Sequence, residues 1–344
     1  MKTYTVDIKE NESVDSLFLV REKISSITKT GNPYLKLKLG DRSGEIEGRI
    51  WTSAETFTES FQRDDFVRVK GRVAFFQDRL QVNISHIERV EEEKIILSDY
   101  FPTTGKDIDQ MWEALIQISH EIKNPHLRNL LNLFWSDEPF LDGFKKAPAS
   151  KQLHHAYLGG LLEHTLSLAQ LVQKNAPHYE GLNVDLLMAG AILHDLGKVY
   201  ELSYQRSFDY SDEGRLLGHI LIGIEKLEEK IRQLSDFPKD LSVLLKHLLL
   251  SHHGQYIYGS PKKPMTLEAM MLHHLDDMDA KVNGVRQYLK TKVPEGSKWS
   301  AYHPLFEQFF YTPILDNKTE PADNTAQLET GRGKQNCRCR GKIR

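Results

Sequence analysis

The spacing of apolar residues changes once along the chain, near residue 100, and this change divides the fold into two parts. Residues 17–90 contain five short runs in which apolar positions alternate with polar ones, the pattern of β-strands. From Ile108 onward the apolar residues recur three and four positions apart, which predicts amphipathic helices. The strand-like runs are LFLVREKISSITKT, PYLKLKLGD, GEIEGRIW, DFVRVKGRVAFF and RLQVNISHIERV. We therefore expect a multi-domain α and β chain, with the β structure first.

The first part has the size of a small closed barrel. Turn residues separate the runs, including Gly31 to Pro33 and the pair Gln77 and Asp78. The stretch TSAETFTESFQ predicts one short helix between the third and fourth strands. Five strands and one helix at this length resemble an OB-fold, a barrel whose open face takes single-stranded nucleic acid or oligosaccharide. The predicted fold class is an N-terminal OB-fold β-barrel followed by an all-α domain.

The second part predicts a series of helices, near residues 155–174, 183–197, 213–234, 239–252 and 264–290. The expected division of the chain is a barrel at 1–98, a helical linker at 99–150, a helical domain at 151–312 and a tail at 313–344. The tail loses the periodicity, and residues 331–344 carry six basic side chains and no acidic one. We expect this tail to be disordered.

Composition limits the classes of protein to which the chain can belong. The 344 residues include 45 Lys and Arg against 48 Asp and Glu, so a formal charge of −3 provides no broad basic surface for a polyanion. No stretch approaches the roughly 18 apolar residues of a membrane span, and the start MKTYTVDIKENES lacks the apolar core of a signal peptide. The cysteines, Cys337 and Cys339, both lie in the tail, which excludes a disulfide framework. We expect a cytoplasmic protein with no membrane partner.

Histidine is the residue type whose distribution points to chemistry. Of 15 histidines, 11 lie between residues 154 and 274. The motif AGAILHDLGKVYE places His194 and Asp195 where a helix ends. Four further motifs supply His164, His219, the pair His252 and His253, and Asp276: GGLLEHTLSLAQ, GRLLGHILIG, LLLSHHGQY and LHHLDDMDAKV. Because imidazole suits transition metals and a carboxylate can bridge two of them, these helices predict a two-metal pocket.

The order and spacing of these motifs resemble the HD-domain superfamily of metal-dependent phosphohydrolases, over roughly residues 150–290. The resemblance implies one metal ion held by ligands matching His164, His194, Asp195 and Asp276. It implies a second metal ion held by ligands matching His219, His252 and His253, with Asp195 shared. The D-x-x-D pattern of the family makes Asp276 the ligand and leaves Asp279 as a group that supports the ligands or faces a neighbouring helix, while Asp277 lies elsewhere on the helix.

The remaining charged residues of these motifs have two interpretations each. Lys198, in the HDLGK turn, is a candidate catalytic residue with Asp195, because it could contact a phosphate or the developing charge; the alternative is an exposed lysine after a helix. Four histidines could contact substrate phosphate or support the ligands, or could be packed or solvated: His154, His155, His273 and His274. We interpret His178 and His247 as structural.

The nitrogen-rich ligand set favours two divalent ions of Mn²⁺, Fe or Co²⁺ over Mg²⁺, and Mn²⁺ is the expected cofactor. A barrel ahead of an HD domain resembles the YhaM family of bacterial 3′-to-5′ exoribonucleases, over about residues 10–312, including HHAYLGGLLEHT, ILHDLGK, SHHG and LDDMDAKV. This resemblance implies hydrolysis of single-stranded RNA from its 3′ end to nucleoside monophosphates by a metal-activated hydroxide. It also implies some activity on single-stranded DNA.

The barrel offers candidate contacts to the nucleic acid. Tyr34, Trp51, Phe75 and Phe76 could stack on bases, and Lys36, Lys38, Arg49, Lys70 and Arg72 could follow a phosphate backbone. The alternative is that the basic residues form the solvated face of half-buried strands and that the aromatic residues belong to the core.

Two other functions remain open. The chain could be an HD-domain nucleotide or cyclic-dinucleotide phosphodiesterase with a regulatory OB domain. Cleavage of mononucleotides and cyclic dinucleotides, but not of oligonucleotides, would favour this function over the nuclease. It could also be a nucleic-acid-binding accessory factor with a silent metal domain, although none of the expected ligands is missing. The sequence leaves a homo-oligomer open.

Overall fold

The computed structural model describes residues 2–52, 54–151, 155–204, 206 and 208–312. It divides the chain into two compact units, residues 1–287 and residues 288–344. His154, both cysteines and the predicted tail at 313–344 lie outside the described residues.

The strands of the first unit form a closed barrel in the order β1-β2-β3-β5-β4. Their bounds are β1 Ser13–Ile27, β2 Pro33–Asp41, β3 Gly44–Ile50, β4 Phe66–Phe76 and β5 Arg79–Arg89, with helix α1 at Ala54–Thr58 after β3. β3 and β5 pair in parallel and the other neighbours pair antiparallel. Strands, helix and topology confirm the predicted OB-fold.

The alternating pattern fills the barrel with one face of each strand. Leu35, Leu37 and Leu39 of β2 are fully buried, whereas the residues between them face outward. Gly71 of β4 lies at a shift in register with β5, where Ser85 is the extra residue. A Cβ atom at Gly71 would be 2.4 Å from the carbonyl oxygen of Asn83, so the close approach of β5 requires glycine. Gln77 and Asp78 both have positive φ and form the predicted tight turn between β4 and β5.

Helices form most of the chain between residues 108 and 292. Their bounds are α2 Ile108–His120, α3 Pro125–Trp135, α4 Glu138–Lys146, α5 Gly160–Asn175, α6 Val184–Leu193, α7 Lys198–Glu201, α8 Asp212–Ile231, α9 Lys239–Ser251 and α10 Leu267–Lys292. Side-chain oxygens of five residues accept hydrogen bonds from the first turns of these helices: Asp107, Asn124, Asp137, Asn183 and Ser211. No helix among the described residues is long and apolar enough to cross a membrane.

The segment predicted as a linker packs into the core of the helical domain. Leu115 of α2, Leu130 of α3 and Phe144 of α4 belong to the same buried cluster as Leu161 of α5 and Leu187 of α6. The predicted domain boundaries remain a proposal, but α2 to α4 and the later helices share one apolar core.

A small sheet and an apolar cluster join the barrel to the helices. The sequence did not predict the two-residue strands β6 Leu202–Ser203 and β7 Asp209–Tyr210, which pair antiparallel. In the loop between them, Phe208 stacks on Phe101 with a ring distance of 5.1 Å. Arg206 of the same loop lies 3.2 Å from Asp65 of the barrel. The barrel is therefore docked through residues that lie between helices α7 and α8.

The described part of the second unit is rich in aromatic residues. Trp299 forms a β-bridge with Tyr311, and the ring of His303 lies 4.3 Å from that of Tyr288. None of the predicted site residues lies in this unit.

Candidate metal centre

Five helices deliver the seven predicted ligands to one buried region. His164 lies in α5, His219 in α8 and Asp276 in α10, whereas His194 and Asp195 directly follow α6, and His252 and His253 directly follow α9. Their ligand atoms form two groups whose members lie within 4.8 Å of one another: His164, His194 and Asp276, and His219, His252 and His253. The two groups match the two ligand sets implied by the HD-domain resemblance.

Asp195 lies between the two groups, and each of its oxygens faces one of them. Its Oδ2 is 3.2 Å from the Nε2 of His194 and 3.7 Å from that of His164. Its Oδ1 is 3.5 Å from the Nε2 of His219 and 3.6 Å from that of His252. A carboxylate with one oxygen at each group has the arrangement expected of a bridging ligand.

The five histidines all present the same ring atom to the centre. Each Nδ1 donates a hydrogen bond to an oxygen atom: from His164 to Asp279, from His194 to Ala191, from His219 to Glu201, from His252 to Leu249 and from His253 to Tyr258. Three of the acceptors are backbone carbonyls and two are carboxylates. Because a neutral imidazole has one N–H, these bonds leave the Nε2 lone pairs facing inward, as metal ligands require.

The polar atoms of the centre fit two cations. Among the residues that the structure describes, Asp195 Oδ1, His219 Nε2 and His252 Nε2 are buried and have no hydrogen-bond partner. Each unsatisfied buried atom costs roughly 1–3 kcal/mol, which a bound cation removes. In the first group, the Nε2 atoms of His164 and His194 are 3.2 Å apart, a distance at which two lone pairs need a positive charge between them.

Burial and charge set the protonation of the first group. Burial lowers the pKa of His164, but Asp276 and Asp279 outweigh this effect and raise the pKa to about 9. Burial alone would raise the pKa of Asp276, yet the neighbouring His164 and His194 hold that pKa well below its usual range. His164 therefore binds a proton when no metal is present, and metal binding must displace this proton.

Two glycines position His219. Gly218 has φ 74° and ψ 157° inside α8 and kinks the helix immediately before His219. Gly197 lies against the same residue, since a Cβ atom there would be 1.9 Å from the carbonyl oxygen of His219. Gly197 leaves room for this close approach, and Gly218 adopts a positive φ that residues with a Cβ atom rarely take.

Glu201 also holds His219, a contact that the sequence does not predict. Its Oε1 accepts hydrogen bonds from both the backbone N–H and the Nδ1 of His219, each at 3.0 Å. Burial would raise the pKa of Glu201, but the bond to His219 outweighs this effect and lowers it. The available signal was an acidic residue at the end of AGAILHDLGKVYE, and sequence spacing alone does not show which histidine it contacts.

Asp279 supports His164 in the same way. Its Oδ2 is 3.1 Å from the Nδ1 of His164, and its Oδ1 accepts hydrogen bonds from Ser167 at 2.6 Å and from Asn283 at 3.0 Å. Asp277, by contrast, pairs with Lys281 along α10. Asp276 is therefore the aspartate of this segment whose oxygen reaches both His164 and His194, at 3.2 and 3.8 Å.

Lys198 contacts the carboxylate that lies between the two groups. Its Nζ is 2.5 Å from the Oδ2 of Asp195, and its side chain is 13% exposed. Burial lowers the pKa of Lys198, but Asp195 outweighs this effect and raises it, so the ammonium stays charged. Burial likewise opposes ionisation of Asp195, whose pKa Lys198 and His194 hold well below its usual range.

The other histidines lie at different distances from the centre. His155 is buried beside Tyr157, and its Nε2 is 3.9 Å from Asp279. The Nδ1 of His273 donates to the carbonyl oxygen of His252 at 2.8 Å, and the ring lines the cavity above the centre. His178 and His274 line a separate apolar cleft, and the Nε2 of His247 accepts a hydrogen bond from the backbone of Met265.

On the barrel, the predicted contact residues face outward but differ in their partners. Tyr34 and Trp51 stack with a ring distance of 4.9 Å, and the Arg49 guanidinium lies over both rings. Carboxylates pair with four of the five predicted cations: Glu47 with Lys36 at 3.6 Å and with the Nε of Arg49 at 2.7 Å, Glu45 with Lys38 at 2.6 Å, and Asp15 with Lys70 at 3.4 Å. These ion pairs weaken the case for Lys36, Lys38, Arg49 and Lys70 as phosphate contacts.

A row of polar residues crosses the barrel beside this stack. Lys36, Arg49, Asn83 and Arg72 are register partners on β2, β3, β5 and β4. The Nε1 of Trp51 donates a hydrogen bond to Asn83 at 3.0 Å, which fixes the indole ring beside the row. Phe75 and Phe76 are exposed at the end of the hairpin formed by β4 and β5.

A barrel of this topology followed by two histidine groups around one aspartate defines the class of proteins that join an OB-fold to an HD domain. Models of protein families agree, because "HD domain" matches residues 161–281 and "OB-fold nucleic acid binding domain" matches residues 19–90. The chain is 35% identical over 307 residues to the 3′-5′ exoribonuclease YhaM of Bacillus subtilis, covering 88% of this chain and 96% of that one. It is 34% identical over 317 residues to the YhaM of Listeria monocytogenes serotype 4b, covering 92% and 100%.

The chain therefore belongs to the YhaM family of 3′-5′ exoribonucleases. The fold class, the family and the hydrolase class predicted from the sequence are confirmed.

Proposed function

We propose that this protein is a metal-dependent 3′-to-5′ exoribonuclease that releases nucleoside monophosphates from single-stranded RNA. The observation that carries the proposal is the position of Asp195, with one oxygen at each of two histidine groups. Membership in the YhaM family supplies the reaction, and the buried unsatisfied atoms of the centre support the use of cations.

Two divalent metal ions would be held by the ligands predicted from the sequence: His164, His194, Asp195 and Asp276 for one, and Asp195, His219, His252 and His253 for the other. Bound there, the ions would supply a nucleophile at neutral pH and would neutralise charge on the reacting phosphodiester. Five imidazole nitrogens in the set support Mn²⁺, Fe or Co²⁺ over Mg²⁺, and we propose Mn²⁺.

The protein's own side chains orient this chemistry. Glu201 and Asp279 fix the rings of His219 and His164 by hydrogen bonds to Nδ1, so that each Nε2 keeps its direction. Lys198 supplies a fixed positive charge beside Asp195, where it can stabilise negative charge that develops on a phosphate oxygen. We propose Asp195 and Lys198 as the catalytic residues.

We propose that the barrel captures single-stranded RNA and, less selectively, single-stranded DNA. The stack of Tyr34 and Trp51 offers an aromatic surface for bases, and Arg49 and Arg72 lie in the polar row beside it. Phe75 and Phe76 extend this surface at the hairpin end. We assign Lys36, Lys38 and Arg49 a smaller part than Arg72, because glutamates pair with all three.

The test is digestion of a 5′-labelled single-stranded RNA oligomer with added Mn²⁺, beside a hairpin RNA of matched length. We expect a ladder that shortens from the 3′ end, that stalls at the hairpin and that is absent with Asp195→Ala, a variant whose folding is checked by circular dichroism. Asp236→Ala, at an exposed position between α8 and α9, is the matched control. An intact oligomer in the presence of bound metal would overturn the proposal and favour nucleotides or cyclic dinucleotides as substrates.

Other predictions from the sequence belong with this proposal. We propose that the barrel at 1–98 and the helical domain at 151–312 act as the binding and catalytic domains. A cytoplasmic location and a homo-oligomer stay predictions, which cell fractionation and sedimentation of the purified protein would test.

A further inference from the structure

A loop of residues 254–265, here named the aromatic loop, connects α9 to α10 beside the metal centre. It contains a single helical turn at Tyr256–Tyr258, in which three bulky side chains in succession are exposed to solvent. Ile257 is 85% exposed and Tyr258 is 61% exposed. Exposed apolar side chains in such a group indicate a surface that binds something.

Hydrogen bonds and close packing hold the aromatic loop in place. Gly254 has a positive φ and packs so tightly on His273 that a Cβ atom would lie 2.2 Å from the imidazole ring. The buried hydroxyl of Ser260 lies 3.1 Å from the carbonyl oxygen of Leu250 and 2.6 Å from that of Lys262. The backbone N–H of Met265 donates to His247 at 2.9 Å. The exposed side chains are therefore carried by a fixed backbone.

The metal centre itself positions Tyr258. The Nδ1 of His253 donates a hydrogen bond of 3.0 Å to the carbonyl oxygen of Tyr258, so one predicted ligand ties the loop to the centre. Tyr258 is one of the residues that line a cavity of about 200 Å³, together with Asp195, Lys198 and Asp276. An exposed aromatic residue thus borders the same cavity as the groups proposed to act on the phosphodiester.

The chemistry of this surface matches a nucleotide. Among the residues that the structure describes, the ring of Tyr258 stacks on no other aromatic ring and so keeps a face for a base. Exposed Lys262 and Lys263 follow the aromatic turn, and the Nζ of Lys263 is 5.5 Å from the ring centre of Tyr256. Aromatic rings beside cations are what a single strand needs, with stacking for the bases and charge for the phosphates.

We propose that Tyr258 stacks on the base of the 3′-terminal nucleotide and places its phosphodiester at the metal centre, while Tyr256 and Lys263 contact the preceding nucleotide. The inference rests on the proposed exoribonuclease function and adds a substrate-positioning site outside the barrel. Because every base has an aromatic face, this contact favours the end of any single strand without selecting a sequence.

The test compares two RNA oligomers that differ only in whether the 3′-terminal nucleotide carries a base. With wild-type protein we expect removal of the base to lower kcat/KM for the first cleavage by about tenfold to a hundredfold, the range of base–aromatic stacking. Tyr258→Ala should lower kcat/KM by a similar factor on the normal oligomer and have no effect on the abasic one. Tyr258→Phe should restore the wild-type values, and Tyr179→Ala, which removes an exposed tyrosine outside the aromatic loop, is the matched control.

A binding measurement in EDTA, where no cleavage occurs, provides a second readout. A 2-aminopurine base at the 3′ end should lose fluorescence when it stacks on wild-type protein or on Tyr258→Phe, and should keep it with Tyr258→Ala. Two results would overturn the inference. One is that Tyr258→Ala lowers kcat/KM equally on both oligomers, and the other is that Tyr258→Ala quenches the 2-aminopurine fluorescence as strongly as the wild-type protein does. If wild-type protein leaves both oligomers intact, the exoribonuclease function is wrong and the inference fails with it.

Discussion

Removal of the Glu201 carboxylate should weaken one metal site and leave the other intact. Glu201 Oε1 accepts two hydrogen bonds from His219, each at 3.0 Å, and these bonds direct the Nε2 of His219 toward Asp195. A hydrogen bond to a charged group contributes about 1.5–3 kcal/mol, which corresponds to roughly a tenfold to hundredfold change in an equilibrium constant. Loss of a carboxylate that orients a ligand costs about the same factor in metal affinity. We therefore expect Glu201→Ala to weaken one of two Mn²⁺ sites by about tenfold to a hundredfold.

The assay is calorimetric titration of Mn²⁺ into protein freed of metal. Wild-type protein should bind two equivalents, and Glu201→Ala should keep one site at wild-type affinity because His164, His194 and Asp276 do not contact Glu201. Glu201→Gln retains an acceptor oxygen without its charge and should give an intermediate affinity. Glu225→Ala, at an exposed position of α8, is the control. Two wild-type sites in folded Glu201→Ala, or equal weakening of both, would refute the reasoning.

Three further predictions concern other parts of the first unit. Gly197→Ala would place a Cβ atom 1.9 Å from the carbonyl oxygen of His219. Thermal melting should therefore show that the free energy of unfolding falls by about 1–3 kcal/mol, and nuclease activity should fall with it. A variant as stable as the wild-type protein would contradict this packing. Trp51→Ala should weaken the binding of single-stranded RNA by about 1–3 kcal/mol, as measured by fluorescence anisotropy in EDTA. Unchanged binding would show that RNA does not contact Trp51. Asp137→Ala removes the cap of α4 and the ion pair with Lys230, so urea unfolding at pH 7 should show a loss of about 1–2 kcal/mol. The bond to Lys230 lowers the pKa of Asp137 in the folded protein, so this contribution is complete above the unfolded pKa of about 3.9 and disappears as the pH falls through the lower folded pKa. A difference between the two proteins that stays constant through this pH range would contradict that assignment.

The apolar period was sufficient to predict the elements of the fold, because local sequence determines which residues alternate and which recur at helical spacing. It gave β2 and β3 correctly and the ends of α9 within a few residues. It could not show that α2 to α4 share the core of the later helices, since that depends on contacts between distant segments. The strands β6 and β7 are two residues long, which is too short for any period to be visible.

The ligands of the candidate centre could be proposed from the sequence, but their supports could not. His164, His194 and Asp276 were identified through a family resemblance, and the structure places their ligand atoms together. The contact of Glu201 with His219 could not be predicted, because it depends on the kink at Gly218, a backbone feature that no local sequence pattern indicates.

A comparable limit applied to the barrel. Alternation in β2 correctly placed Lys36 and Lys38 on the outer face. Their neutralisation by glutamates of β3 depends on the register between the two strands. The charges along one strand therefore do not predict the net charge of the surface, because the adjacent strand can supply opposite charges.

The docking of the barrel has a consequence for attempts to study the two activities separately. The segment that joins Glu201 to His219 also carries Arg206, which pairs with Asp65 of the barrel, and Phe208, which stacks on Phe101 beside the barrel residue Phe66. A cut near residue 98 would expose Phe66 on one fragment and Phe101 on the other, and would leave Arg206 without Asp65. Each isolated fragment would then expose apolar surface that can aggregate. The helical fragment would also lose the contact that holds Arg206, in the loop between His194 and His219. Point substitutions within the full chain are therefore the sounder way to assign roles to its two halves.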